Sequence, residues 1–291
     1  MPDLGLIVTF LRELMVSRTL PREPEPDLVM EGPDQVAAYA NAGRIDGDMA
    51  ASYLFQSARI SMVINGCRNV LDLGCGPATQ LAQIAQLNPD IEFLGVDLSS
   101  RMIADAQQYV AGLHLKNVHF IRNDIAELSG IADRSFDGVI STLALHHLPT
   151  LASLDSCFAR VRQVLAPGGA LYLTDFCRLK SLKSVLYFAY LNRGNQPHIF
   201  SLDYERSLRA AFEKAEFESL TTKYFSDVAT FVSTFKVPFL GIVKTPDRPL
   251  SHGQKQQVKD LCARLPRRYR SDLDNLRRFF SLGGLKSDPF R

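Results

Sequence analysis

The sequence predicts an α/β fold, an open sheet of short buried strands with helices packed between them. Three observations carry that expectation. The apolar run Val70 to Leu73 passes through a glycine turn directly into helical spacing at Leu81, Ile84, Ala85 and Leu87. A second short apolar run, Ile91 to Val96, ends in Asp97. Further apolar runs at 117–121, 136–145 and 170–176 alternate with stretches of helical periodicity, the pattern of a sheet wound with crossover helices. With 291 residues, 46% of them apolar, the chain can build one large α/β domain with additions.

Taken in order, Leu4 to Val16 reads as an amphipathic helix, either a flap or dimer element or a helix packed on the core. The Pro/Glu-rich segment Pro21 to Pro26 follows, expected to be extended and mobile, so residues 1–30 form a leading segment. From 31 to 65 the apolar residues recur at helical spacing and predict helices ahead of the first strand. Tyr39 lies there, placed either over a ligand or within the core. The turn Asp72-Leu73-Gly74-Cys75-Gly76-Pro77 is of a nucleotide-binding kind: Gly74 and Gly76 remove the β-carbons that would hold a ligand off the backbone. A dinucleotide turn needs a third glycine where Thr79 stands, and no Gly-Lys-Ser/Thr follows, so neither NAD nor a P-loop fits.

Downstream, the strand Asn117 to Ile121 leads into Asn123-Asp124-Ile125. The strand from Phe136 ends in Ser141-Thr142-Leu143-Ala144-Leu145-His146-His147-Leu148-Pro149. A helix then ends at Val164-Leu165-Ala166-Pro167-Gly168-Gly169, a turn that needs glycine's positive φ, and the chain re-enters the sheet at Ala170 to Phe176. Asp175, at that strand's end, either faces a ligand or caps the next element.

This ordered set, spanning residues 66–176, resembles the class I S-adenosylmethionine (SAM) dependent methyltransferases. The glycine turn is similar to their motif I, with Ala78 where a third glycine usually stands. Ala-Leu-His-His is similar to the type 11, UbiE-like group. The resemblance implies a Rossmann-like, mostly parallel seven-stranded sheet flanked by helices. To that basic fold this chain is expected to add N-terminal helices, a helical insertion after strand five and a helical C-terminal extension. It also implies SAM as cofactor, with Asp72, Gly74, Cys75 and Gly76 in the binding turn and Asn123, Asp124 and Ile125 at the adenine. Thr142 and Leu143 would lie beside the methionine part. Asp97 suits the ribose because a carboxylate at the neighbouring strand's end can accept both hydroxyl protons, or it caps a helix with Ser99 and Ser100. Leu98 and Met102 are placed to sandwich adenine.

The methyl acceptor is expected to be a small, aromatic or lipophilic molecule attacked through oxygen or carbon. Asn/Asp-Pro-Pro-aromatic, which amino-directed relatives carry at Ser141 to Ala144, is absent. His146, His147 and Tyr39 are the catalytic candidates, because imidazole can take a proton near neutral pH. Either histidine could instead be bonded to backbone in a loop. No metal is expected, since no third ligand is spaced near the histidine pair. His114 and His119 have no partner pattern.

The domain proper is expected at 31–248, with the apolar, aromatic stretch 177–200 as a lid over the substrate or plain core. The sheet should finish with a helix from Tyr204 to Ala215 and strands at Phe217 to Phe225 and Phe235 to Lys244. Residues 249–291 form a basic helical extension. That extension is read as a helix pair closing the sheet or a homodimer surface, in preference to an RNA-binding arm. An RNA methyltransferase, or a SAM-binding protein without methyl transfer, remains the alternative. Net charge of +2 offers no DNA-binding field. Five cysteines without a paired spacing disfavour arsenite methylation and suit a reducing cytoplasm, and no apolar run is long enough for a membrane span.

Overall fold

The computed structural model describes residues 4–26, 32–44, 47–194 and 196–291. Residues 1–3 and 27–30 of the expected leading segment, 31, 45 and 46 of the expected N-terminal helices, and 195 of the expected insertion lie outside them. Leu4–Met15 forms α1, Pro33–Ala42 α2 and Ala50–Ile64 α3, before the first strand, Asn69–Leu73 (β1). Thr79–Leu87 (α4) leads to Glu92–Asp97 (β2), and Ser100–Gly112 (α5) to Val118–Arg122 (β3). Phe136–Thr142 (β4) and Leu165–Phe176 (β5) are joined by Leu151–Val164 (α6). Three helices follow, Leu182–Tyr190 (α7), His198–Ala210 (α8) and Lys214–Phe225 (α9). Thr230–Ser233 (β6) and Leu240–Lys244 (β7) complete the sheet, and His252–Arg264 (α10) and Arg267–Leu282 (α11) close the chain.

The expected seven-stranded sheet has the order β3-β2-β1-β4-β5-β7-β6. Its first five strands pair in parallel, and β7 runs antiparallel to both β5 and β6. From β1 the chain winds outward through β2 and β3, then returns to β4 on the other side. A crevice therefore opens beyond the ends of β1 and β4, where open α/β sheets bind ligands. Alternation along β1 divides the core: Val70 packs with α3 and α4, while Leu71 and Leu73 pack with α6. The Pro-Gly-Gly turn lies inside β5, where pairing jumps from Leu165 to Ala170 and Gly168 takes φ +73°.

The stretch Phe217 to Phe225, expected as a strand, is helix α9. Its buried residues Phe217, Leu220, Thr221 and Phe225 fall at helical spacing, and Glu213 and Glu216 form a reciprocal capping box at its start. That cap and spacing outweigh the β-branched and aromatic content that favours a strand.

The C-terminal helices belong to the core. α11 lies along α3, where Phe280 stacks on Phe55 at 5.3 Å, and α3 is buried on almost every side. Such burial demands partners for its charge. Arg59 pairs with Asp247 at 3.0 Å, and Lys244 meets the same carboxylate at 2.8 Å.

The Pro/Glu-rich segment is extended, as expected, but bonded along its length rather than loose. The Leu20 N–H donates to Leu179, and that of Glu23 to Arg209. The Arg22 guanidinium donates to the carbonyls of Ala210, Pro149, Leu148 and His146 and lies over the Phe212 ring. Residues 16–26 are thus a strap across the ends of β4 and β5. No helix among the described residues is long and apolar enough to cross a membrane.

Candidate active site

The glycine turn is shaped by two constraints. Gly74 takes φ +69°, and a β-carbon there would stand 2.4 Å from that of Ala144, so both conformation and space require glycine. The N–H groups of Gly74 and Cys75 donate to the Val96 carbonyl, tying the turn to β2. Ala78 holds φ +58° in the left-handed region, so the residue in place of a third glycine keeps a glycine-like backbone.

The turn forms one wall of an open cleft. Tyr39, Gly74, Gly76, Asp97, Leu98 and Met102 line it, with Asp124, Ile125, Leu143, Ala144 and His147 opposite and beyond. A smaller recess shares Tyr39 and Gly74 and continues to Asp72, Cys75, Tyr53, Thr79 and Thr142. Most of the site residues expected from the sequence therefore meet along one crevice. Asn123 differs in its side chain, which exchanges two hydrogen bonds with the Ser129 backbone, at 2.9 and 3.1 Å, and pins the β3 loop. His146 also stands back from the cleft wall.

Acidic groups mark the crevice. Asp97 accepts from the Gly76 and Ser99 N–H groups, each at 2.9 Å, while Ser99 itself caps α5. Asp124 accepts from Ala126 N–H at 2.8 Å. Burial, then the nearby charge of Asp97, raises the Asp72 carboxyl to about 7. A cationic ligand group beside it would restore the ionised form. The same burial, with Asp72 and Asp97, pushes the Cys75 thiol well up, leaving it inert. Tyr53 donates to the Tyr39 hydroxyl at 3.2 Å, and burial raises both phenols.

At the far end, the histidines stand on a short 3-10 turn, Leu145–His147, after Leu143 at φ +53°. His146 Nδ1 lies 2.7 Å from a carboxylate oxygen of Asp175, and the His146 backbone N–H donates to the other at 3.0 Å. Burial pushes the His146 imidazole down, but Asp175 outweighs it and the net shift is upward. His147 lies beside it, ring centroids 4.4 Å apart and planes tilted by 35°, and lines the cleft; burial and then His146 lower it to about 4, so it is neutral at neutral pH. The strap brings Glu25 to both rings, 3.8 Å from His146 Nε2 and 3.7 Å from His147 Nδ1. Sequence spacing carries no signal for Glu25 or Arg22, which lie more than 120 residues before the histidines. For Asp175 it left two roles open.

Residues 65–197 match a family described as a methyltransferase domain. Among curated proteins, the chain is 43% identical over 102 residues to trans-aconitate 2-methyltransferase of Deinococcus radiodurans, covering 35% of each chain. It is 29% identical over 196 residues to phosphoethanolamine N-methyltransferase 3 of Arabidopsis thaliana, covering 67% of this chain and 37% of that one. The chain thus spans little more than a third of the length of these relatives. Among solved structures, the plantazolicin methyltransferase BpumL in complex with SAH superposes with a TM-score of 0.55 at 19% identity, covering 81% of this chain and 88% of that one. That likeness shows a shared fold.

Proposed function

We propose, from the premise that residues 65–197 form a class I SAM-dependent methyltransferase domain, that this protein transfers a methyl group from SAM to an oxygen or carbon of a small, aromatic or lipophilic molecule. The observation that carries the reading is the line of acids along one crevice, from Asp72 in the recess through Asp97 to Asp124.

The residues present suit the cofactor. The Gly74 backbone forms a cradle that a β-carbon would fill, and Asp72 is a buried carboxyl that a cation such as an amino group would stabilise in its charged form. On this reading Asp72, Gly74 and Thr142 hold the methionine part, and Asp97 accepts from the ribose hydroxyls. Leu98, Met102, Asp124 and Ile125 enclose the adenine. When bound, SAM supplies a methyl group on a sulfonium, which is open to in-line displacement.

The protein's own contribution is then alignment and exclusion of water, with a base where the nucleophile is weak. Leu143, Ala144, Leu148 and Pro149 give the acceptor end an apolar wall. His147, neutral and on that wall, can accept a proton from a phenol or enol. His146, bonded to Asp175, positions the turn that carries it. Tyr39 closes the opposite side. In the basic extension α11 packs on α3 and Arg277 is committed to Asp288 and Asp274, which supports a packing role for that helix.

Calorimetric titration with SAM and with S-adenosylhomocysteine, against NAD as control, tests this reading. Micromolar binding of both, weakened at least tenfold by Asp97→Ala, is expected; binding of NAD alone, or of none, would overturn it.

A further inference from the structure

We propose that Glu25, His146 and His147 form a binding site for one divalent first-row transition cation of the Zn²⁺ type at the acceptor end of the cleft. One carboxylate oxygen and two imidazole nitrogens lie within 4.8 Å of one another. Glu25 Oε1 stands 3.8 Å from His146 Nε2 and 3.7 Å from His147 Nδ1, too far for hydrogen bonds. Two ligands held about 2.0–2.2 Å from one tetrahedral cation sit roughly 3.3–3.6 Å apart, so small side-chain rotations bring these atoms to ligating distance.

The surroundings orient the donors toward one another. Asp175 engages Nδ1 of His146, which turns Nε2 toward Glu25; a carboxylate behind a ligating imidazole is the usual support of such sites. Asp175 is in turn fixed by the backbone N–H groups of His146 and Phe176. Glu25 accepts from the Ser207 hydroxyl at 2.8 Å, and Arg22 anchors the strap that carries it.

The donor set selects the ion. Two imidazoles and one carboxylate suit zinc, cobalt, nickel or iron, and not magnesium or calcium, which prefer oxygen ligands. Three protein ligands leave a tetrahedral ion one open position, as in catalytic sites. Glu25 and His146 are nearly covered, whereas the His147 side chain is 33% exposed and lines the cleft. The consequence for acceptors rests on the methyltransferase reading: with the cation bound, His147 is a ligand and not the base, and the open position would take an acceptor's hydroxyl or enol oxygen and ease loss of its proton to water.

The test uses untagged, chelator-stripped full-length protein titrated with Co²⁺, read by visible absorption, then with Zn²⁺ by calorimetry and Mg²⁺ as control. One equivalent of Co²⁺ with a tetrahedral spectrum is expected, displaced by Zn²⁺ and unaffected by Mg²⁺. Glu25→Gln and His147→Asn should each weaken binding at least tenfold while the circular dichroism spectrum is unchanged; if one variant fails to fold, the other carries the test. No cobalt spectrum, or unchanged affinity in a folded variant, overturns the site. S-adenosylhomocysteine titration run in parallel separates the two readings. S-adenosylhomocysteine binding without cation binding overturns the site alone, and cation binding without S-adenosylhomocysteine binding overturns the cofactor reading alone.

Discussion

The two ends of the cleft are built differently. The glycine-turn end comes from backbone geometry at the ends of adjacent strands β1, β2 and β3, and its acids Asp72, Asp97 and Asp124 follow one another in sequence. The histidine end is assembled from the strap, the turn after β4 and the end of β5, and it depends on side-chain bonds between distant segments. A backbone-built site tolerates little change in shape but can be read from a motif. A side-chain-built site can vary its chemistry on the same sheet, and its composition emerges only when the chain is folded.

Variants at the two ends should therefore fail in different ways. The largest effect is expected for Gly74→Val, whose side chain would collide with Ala144 in a backbone already at positive φ. S-adenosylhomocysteine affinity should fall more than a hundredfold, with a loss of about 2–4 kcal/mol in denaturant-measured stability. Next, His147→Ala should lower turnover on an accepted phenol or enol by about a hundredfold and leave cofactor affinity within threefold, as expected for loss of a positioned base.

A smaller effect separates the ends by pH. Asp72 at about 7 is raised, so an unliganded fold binds its proton more tightly than the unfolded chain, and this group's contribution to stability declines as pH rises from about 4 to 7. A ligand amino group favours the ionised carboxylate. Cofactor-product affinity should then rise about tenfold between pH 6 and pH 8, and Asp72→Asn should flatten that dependence in calorimetric titrations. The smallest effect is expected for Tyr39→Phe, which keeps the ring over the cleft and removes only the bond with Tyr53. A change under about threefold in affinity should result.

The same contrast explains what the sequence revealed. That Asp72, Gly74, Asp97 and Asp124 share one crevice was legible because the family resemblance names those positions and strand ends in an α/β sheet converge there. Asn123 was assigned by position, but position could not show that its amide would bond the Ser129 backbone. The strand expected at 217–225 is a helix, because the burial spacing and the Glu213–Glu216 capping box outweigh its aromatic and β-branched content. Glu25 was illegible for another reason. Nothing in a Pro/Glu-rich segment shows which carbonyls Arg22 will find, and those contacts bring the carboxylate to the histidines.

The most direct test of a divided cleft is calorimetric titration of S-adenosylhomocysteine into Asp97→Ala and His147→Ala side by side with the unaltered protein. The account predicts that the first loses at least tenfold in affinity and the second stays within threefold. Equal losses in both, or retention by Asp97→Ala, would contradict it.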